Sequence, residues 1–419
     1  MSTRKISISK LRKGMFIHEL DIPWMQSPFL RHRRKINTDN DIALLKKAGV
    51  RELHIDLARG DDVAQQEPAT PPSDSVNHKQ HEKDQPTEEP VQHSAAIAES
   101  SKKVALNEEL KVAKVLQGKI GQLVNQLGSM VKEGQAISVA TITPVIDEAR
   151  DSLNRNDQAL LTMLHLHRQD IKLSDHGFGV FAVVLPLAMR MGCTKEQINE
   201  LGMAALLHDT GWSRLPIHLF GKNKAYTATE KRLIEQHPGI VENVLNKSPD
   251  IPEGVKKLVS QHHELRDGSG YPGKLQGDEI SGLVEILQVA DFYDESIHGL
   301  SDKPGMLPAN ALKLLYQSAK KGLYNEATIS ELIHVMGIYP LTSAVRLSSG
   351  EKALVVEIDK EKPLSPQVKI IYDADGQQCS SDKIINLATD SNNDLKVSGI
   401  IEPLNKKEDP LGLLRMTSV

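Results

Sequence analysis

The chain has 419 residues, of which 39% are hydrophobic and 25% are charged, and its 51 basic and 55 acidic residues leave a formal net charge of −4. A chain of this length is expected to form about two or three domains, and its balanced charge argues against nucleic acid or an anionic membrane as a bulk partner. Its two cysteines, Cys193 and Cys379, are too far apart in sequence to indicate a disulfide framework or a thiolate zinc site.

Targeting and membrane signals are not evident in the sequence. The first twenty residues contain no apolar stretch long enough for a signal peptide. The longest apolar run, 180–189, is about half the ~18 residues that a membrane helix needs. We therefore expect a cytoplasmic protein without an integral membrane segment.

Residues 1–60 are predicted to form a small α/β domain. Alternating apolar and polar residues indicate strands near both ends of this segment, and Thr38 or Asn40 can cap a short helix between them. Residues 61–100 are rich in Pro, Gln, Glu and Ser and nearly free of large apolar side chains. Such a composition cannot bury enough surface to offset its chain entropy, so we expect a disordered linker there.

Residues 101–340 are predicted to form helix after helix with short turns. Apolar residues in 101–127 recur close to heptad spacing, which indicates a helix packed on a surface or, as the alternative, a short coiled-coil seam in a homodimer. Residues 341–419 show strand-like alternation and predict a small β module with a tail. The expected fold class is therefore mainly α: a helical bundle with a small N-terminal α/β domain and a small C-terminal β module.

Side chains of metal-ligand type recur on the core-facing stripes of the predicted helices, or directly beside them. They are His176, His208, Asp209, His237, His262, His263 and Asp291. A single inward histidine is more often a core residue that is hydrogen-bonded to a carbonyl, but burying several such groups without partners costs kilocalories apiece. A shared pair of divalent cations would satisfy all of them. Nitrogen and oxygen ligands without thiolate fit iron, manganese or zinc.

These residues carry a family resemblance. His176, the pair His208-Asp209, and Asp291 resemble the motif of the HD superfamily of metal-dependent phosphohydrolases, and 261–272 (QHHELRDGSGYP) resembles the second signature of its HD-GYP subfamily. That subfamily hydrolyses cyclic di-GMP. The resemblance covers about residues 150–345 and implies an HD-domain helical bundle there. The first sixty residues are similar to a domain of unknown function that often precedes HD-GYP domains.

The resemblance implies two metals, with iron or manganese expected. One would be held by His176, His208, Asp209 and Asp291, and the other by Asp209 as a bridge with His237, His262 and His263. Lys172 stands where some relatives have the glutamate of a third metal. His208 and Asp209 are then the expected catalytic residues, because the metals they hold would lower the pKa of a shared water toward ~7 for attack on the phosphodiester. The implied products are the linear dinucleotide pGpG and then GMP.

Substrate contacts are expected mainly from the glycine-rich loop. The residues concerned are Arg214, Asp267, Gly270, Tyr271, Pro272 and Lys303. In this interpretation Tyr271 faces a base or sugar. The alternative is that the loop is only a tight connection between helices, with glycines that supply positive φ.

Three departures from the family pattern concern the substrate and not the metals. Trp212 stands where relatives carry a lysine close to the substrate phosphate, and Arg214 is a candidate replacement. Glu285 stands where relatives commonly have arginine. The segment 295–305 lacks the usual Arg-Pro-Tyr-Arg-like run, with Lys303 in a displaced remnant.

Several functions are therefore open on the sequence alone. The preferred one is hydrolysis of cyclic di-GMP. The alternatives are a cyclic GMP-AMP phosphodiesterase, and a catalytically weak or inactive signalling protein that binds a cyclic dinucleotide or a partner protein of the diguanylate cyclase or adaptor type. A phosphohydrolase of mononucleotides or alarmones is disfavoured by the GYP loop.

Overall fold

The computed structural model describes residues 3–22, 34–61, 103–166, 172–222, 224–300, 304–359, 362–379, 383–389 and 395–401. The chain divides into two compact units, Met1–Ser101 and Lys102–Val419. The predicted linker 61–100 lies almost wholly outside the described residues, so its disorder stays a prediction.

The described part of the first unit is a four-stranded antiparallel sheet with one helix. The strands are β1 (Thr3–Ser7), β2 (Phe16–Leu20), β3 (Arg34–Lys35) and β4 (Glu52–Asp56), in the order β1-β4-β2-β3. The helix α1 (Asp39–Lys47) begins with a capping box. The Thr38 side chain accepts a hydrogen bond from the backbone N–H of Asp41, and the Asp41 side chain accepts one from the backbone N–H of Thr38. Ile17, Leu45 and Ile55 are fully buried between sheet and helix.

The second unit is built around a helical bundle. Its helices are α2 (Leu106–Glu133), α3 (Val139–Arg155), α4 (Ala159–Leu166), α5 (Leu173–Arg190), α6 (Lys195–Leu207), α7 (Ala228–Ile234), α8 (His237–Leu245), α9 (Glu253–Gln261), α10 (Gly282–His298), α11 (Pro308–Ala319) and α12 (Glu326–Met336). α5 is buried around almost its whole circumference because α2, α6 and α10 all pack against it. Its nearly continuous apolar sequence follows from that position.

The long helix α2 uses its apolar stripe within the chain. Leu116, Ile120, Leu123 and Leu127 are buried against the rest of the bundle. This favours the surface-packed interpretation of 101–127 over a homodimer seam.

A second sheet follows the bundle. Its strands are β5 (Ala344–Leu347), β6 (Lys352–Glu357), β7 (Gln367–Tyr372), β8 (Ile384–Asn386) and β9 (Val397–Ile400), in the order β8-β7-β6-β5-β9. Every pair is antiparallel. The predicted fold class, mainly α with small sheets at both ends, is confirmed. None of the helices in the described ranges combines the length and apolarity that crossing a bilayer requires.

Candidate metal centre

The bundle brings together all the residues predicted as ligands. They are His176 on α5, His208 and Asp209 just after α6, His237 at the start of α8, His262 and His263 just after α9, and Asp291 on α10. All are buried except His263, whose side chain is 20% exposed. The centre therefore opens to solvent on the His263 side.

The side chains form two groups, and the carboxylate of Asp209 lies between them. The first group is His176, His208 and Asp291, and the second is Asp209, His237, His262 and His263, with the ligand atoms of each group within 4.8 Å of one another. Oδ2 of Asp209 lies 3.2 Å from Nε2 of His176, and its Oδ1 lies 3.0 Å from Nε2 of His237. Asp209 thus presents one oxygen to each group, as a bridging ligand would.

Backbone hydrogen bonds fix the tautomers of three of these imidazoles. Nδ1 of His208, His237 and His262 lies 2.9, 2.7 and 2.7 Å from the carbonyl oxygens of Ala205, Ile234 and Val259. A carbonyl only accepts, so Nδ1 must carry the proton, and in the neutral ring Nε2 keeps its lone pair. Nε2 of His237 and Nε2 of His262 are nevertheless 3.1 Å apart. Two lone pairs at that distance call for a cation between them.

His176 is oriented by a carboxylate instead of a carbonyl. Its Nδ1 lies 2.6 Å from Oδ2 of Asp294, whose Oδ1 is 2.9 Å from Nδ1 of His298. A carboxylate behind a ligating histidine fixes the ring and raises its basicity. Sequence analysis did not select Asp294 as a site residue. Its position three residues after Asp291, on the same face of α10, was the available signal.

The charges of the centre are those of a cation site. Burial would raise the pKa of Asp209, but the neighbouring His208 and His237 and a hydrogen bond from His176 hold it well below its usual value. Burial, reinforced by His262 and His237, lowers the pKa of His263 well below 6.5 and keeps the ring neutral. By contrast, burial and the Asp291 carboxylate raise the pKa of Glu295, one turn further along α10.

The donor set fits divalent transition metals. Oδ1 of Asp291 is buried and has no hydrogen-bond partner among the described residues, although Nε2 of His176 is 3.1 Å away. Buried carboxylate oxygens and imidazole lone pairs that face one another are satisfied together by a cation. These two clusters could therefore hold metal ions, although their geometry does not identify the metal.

The glycine-rich loop closes over the open side of the centre. The Tyr271 ring stacks on His263, with centroids 4.8 Å apart and planes 28° apart. Gly270 is required there, because a Cβ atom would lie 2.3 Å from the backbone nitrogen of Leu265. Asp267 is exposed and accepts hydrogen bonds from the backbone N–H and hydroxyl of Ser269. Asp267 and Gly270 shape the loop, and Pro272 follows Tyr271 at its exposed edge; a direct contact of these residues with substrate stays a prediction.

Two buried residues that sequence analysis missed hold this loop in place. Glu264 accepts hydrogen bonds from the backbone N–H groups of Gly273 (2.5 Å) and Leu275 (2.9 Å). Gln288 of α10 donates to the carbonyl oxygens of Gln261 (3.3 Å) and Glu264 (2.5 Å). The signal for Gln288 was its position one turn before Asp291, and the signal for Glu264 was its place directly after two candidate ligands.

The residues expected to depart from the family pattern differ in their surroundings. Trp212 is partly exposed and lies against His237. Nη2 of Arg214 points to Gly134 at the end of α2, 3.1 Å from where a Cβ there would be. Glu285 is buried and paired with Arg266, and it also accepts a hydrogen bond from Asn325 at 2.9 Å. Lys303 lies outside the described residues, so its expected substrate contact has no structural description.

Three protein families match the chain in succession. They are a domain of unknown function over residues 3–142, an HD domain over 145–327, and a KOW domain associated with HD domains over 344–403. The first match extends past the division between the two structural units and includes α2. The last match covers the C-terminal sheet.

Similar proteins include enzymes of two named specificities. A cyclic di-GMP phosphodiesterase of Pseudomonas aeruginosa is 27% identical over 92% of this chain and 89% of its own length. A 3'3'-cGAMP-specific phosphodiesterase of Vibrio cholerae is 32% identical over 26% of this chain and 21% of its own. Among solved structures, an HDG"Y"P protein of Bdellovibrio bacteriovorus is 18% identical, covers 79% of this chain and 98% of its own, and has a TM-score of 0.46.

Proposed function

Because the chain belongs to the HD-GYP group of the HD-domain family, we propose that it is a metal-dependent phosphodiesterase that hydrolyses a cyclic dinucleotide. The observation that carries the proposal is the pair of ligand groups joined by Asp209 beneath the Tyr271 loop. Cyclic di-GMP is the proposed substrate, with pGpG and then GMP as the products.

The proposed centre holds two divalent transition metals, iron or manganese. One would be held by His176, His208, Asp209 and Asp291, and the other by Asp209, His237, His262 and His263. When bound, such a pair would supply a water of lowered pKa and neutralise charge on the phosphoryl oxygens.

The protein contributes fixed ligand geometry and, within the described residues, an accessible side at His263. The carbonyl partners of His208, His237 and His262 keep their Nε2 atoms aimed inward, so little reorganisation is needed when a phosphodiester binds. Substrate enters past His263 and Tyr271, the accessible part of the centre. The Tyr271 ring offers an apolar face to a base or ribose at that entrance.

Slow turnover is expected because the usual lysine is absent. Trp212 is neutral, Arg266 is engaged by Glu285 and Asp278, and Arg214 points to Gly134. Loss of one such donor to a developing charge typically lowers a rate by about 10²–10³. This pattern favours a second candidate function, a weak or inactive enzyme that acts by binding the dinucleotide.

Product analysis tests the proposal. The full-length protein, loaded anaerobically with Fe²⁺ or Mn²⁺, is incubated with cyclic di-GMP and separately with 3'3'-cyclic GMP-AMP, and the products are separated by chromatography. We expect pGpG and GMP from cyclic di-GMP, and no product with Asp209→Ala. The exposed Asp375→Ala is the matched control and should keep full activity.

The outcome also separates the alternatives. Faster hydrolysis of cyclic GMP-AMP would reassign the substrate. Tight binding of either dinucleotide without hydrolysis, under both metals, would support the binding protein and contradict the enzyme.

A further inference from the structure

The position of Trp212 indicates a role other than that of the lysine it replaces. Its ring lies 5.6 Å from the imidazole of His237, with the two planes 27° apart. The ring of Phe220 packs on the indole in a T-shaped arrangement, with the ring centroids 5.4 Å apart and the planes at 79°. The indole therefore neighbours both a second aromatic ring and one of the candidate ligands.

The local backbone brings Trp212 to His237. The turn Thr210–Arg214 follows Asp209 directly, and the Trp212 N–H donates to the Asp209 carbonyl oxygen at 3.0 Å. A Cβ on Gly211 would lie 2.2 Å from the carbonyl oxygen of His237. Only glycine allows this approach, so the turn that carries the bridging carboxylate is pressed against the start of α8.

The indole restricts the freedom that His237 would otherwise keep. The hydrogen bond from Nδ1 of His237 to the Ile234 carbonyl holds one edge of the ring, and Trp212 covers one face. With both constraints, Nε2 stays 3.0 Å from Oδ1 of Asp209.

His263 has the same kind of neighbour. Tyr271 stacks on it at 4.8 Å and 28°, and the rings of His237 and His263 are 5.0 Å apart. Trp212, His237, His263 and Tyr271 thus form a row of rings along the second ligand group. The two outer rings, those of Trp212 and Tyr271, have no nitrogen lone pair with which to bind a transition metal.

We propose that Trp212 is a positioning residue that holds the His237 imidazole in its ligating orientation and thereby secures the second metal. The proposal rests on the proposed function, since it concerns the same centre. Outer-shell partners of ligating histidines commonly contribute 10–100-fold to metal affinity. Trp212 is expected to act in this range through packing instead of hydrogen bonding.

Tryptophan fluorescence tests the contact directly. The chain has two tryptophans, Trp24 and Trp212, so Trp24→Phe leaves Trp212 as the only emitter in the full-length protein. We expect Mn²⁺ titration of the chelated protein to quench its emission mainly with the equivalent that fills the Asp209, His237, His262 and His263 group. His237→Ala should remove this phase. Emission that is insensitive to both equivalents of Mn²⁺ would overturn the proposal, and this measurement needs no substitution of Trp212 itself.

Metal analysis with variants provides the second test. Trp212→Ala should bind the second Mn²⁺ about 10–100-fold more weakly, whereas Trp212→Phe should stay close to the native affinity. The control Tyr316→Ala removes a partly exposed aromatic ring of α11 and should leave the affinity for both Mn²⁺ ions unchanged. A Trp212→Ala variant that binds the second Mn²⁺ with the native affinity would contradict a positioning role.

Kinetics separate positioning from base stacking. If Trp212 acts through the metal, kcat of Trp212→Ala falls and recovers in excess Mn²⁺, while KM for the dinucleotide stays constant. A raised KM with unchanged metal content would instead show that the indole stacks on a base, and would overturn the proposal. A lack of hydrolysis in every variant would reject the proposed function but leave the fluorescence and metal-affinity results to decide the role of Trp212.

Discussion

At the scale of single residues, the centre depends on positions where the absence of a side chain matters. Gly179 of α5 faces Asp294, and a Cβ there would lie 1.8 Å from Oδ1 of that carboxylate. Asp294 in turn holds Nδ1 of His176. A glycine with no ligand atom is therefore part of the support for the first ligand group.

Gly179→Ala is expected to weaken the first metal specifically. The new methyl group must displace Asp294, which frees His176 to rotate, so we expect loss of about one metal per chain and a drop of several degrees in Tm. Gly118→Ala on α2 is the matched control, because a Cβ there meets nothing within 4 Å. The control should be neutral or slightly stabilising, since alanine is the better helix former by about 1 kcal/mol. Elemental analysis and thermal unfolding measure both effects, and full metal content in Gly179→Ala would disprove this account of Asp294.

At the scale of elements, helix periodicity predicted the inward position of those candidate ligands that lie within helices. The core-facing stripes of α5, α8 and α10 place His176, His237 and Asp291 inward whatever their neighbours are. The contacts that support these ligands and the loop could not be predicted from periodicity. Glu264 accepts hydrogen bonds from Gly273 and Leu275 in a loop that has no periodicity, and Glu285 pairs with Arg266, which is nineteen residues away in the sequence.

The same limit applies to the family departures. The family resemblance places Trp212 where relatives are expected to carry a lysine and Glu285 where they are expected to carry an arginine. It does not show that the indole turns to His237 or that Arg266 neutralises Glu285, because side-chain direction depends on the packing of distant elements.

The pairing of α2 with α3 supplies a prediction at this scale. Glu109 of α2 is buried and accepts hydrogen bonds from Ser152 (2.7 Å) and from two nitrogens of Arg155 (2.8 and 2.9 Å). Burial opposes its ionisation, but the Arg155 and Ser152 hydrogen bonds lower its pKa overall. Glu109→Gln leaves Arg155 without its counter-charge and should lower the free energy of unfolding by about 2 kcal/mol.

An exposed ion pair between the same two helices is the matched control. Lys119 and Glu148 are 2.6 Å apart, and each side chain is 48% exposed. Glu148→Gln should cost at most ~0.5 kcal/mol because water screens the pair. Urea denaturation of both variants gives the comparison, and equal losses would mean that burial adds nothing to the Glu109 contact.

At the scale of the whole molecule, the family boundaries and the structural boundaries do not coincide. The domain of unknown function is matched over 3–142, whereas the described structure places α2 in the same compact unit as the HD helices. α2 buries one face against α4, α5 and the turn after Asp209. A helix that the sequence families assign to the first domain is thus part of the scaffold of the metal centre.

Two fragments distinguish these boundaries. The composition of 61–98 predicts that limited proteolysis cuts there first and releases a stable fragment that begins near residue 100.

A fragment of residues 103–419 keeps α2 and should fold, bind two metals and retain hydrolysis. A fragment of residues 143–419 lacks α2, which exposes the buried partners of Leu116, Ile120 and Leu127 and removes the support behind the Trp212 turn. Each lost leucine contact of this kind costs about 2–5 kcal/mol, so the shorter fragment should be unfolded or metal-free. Thermal unfolding and elemental analysis decide the matter: a shorter fragment with native Tm and two metals would show that α2 belongs functionally to the first domain alone.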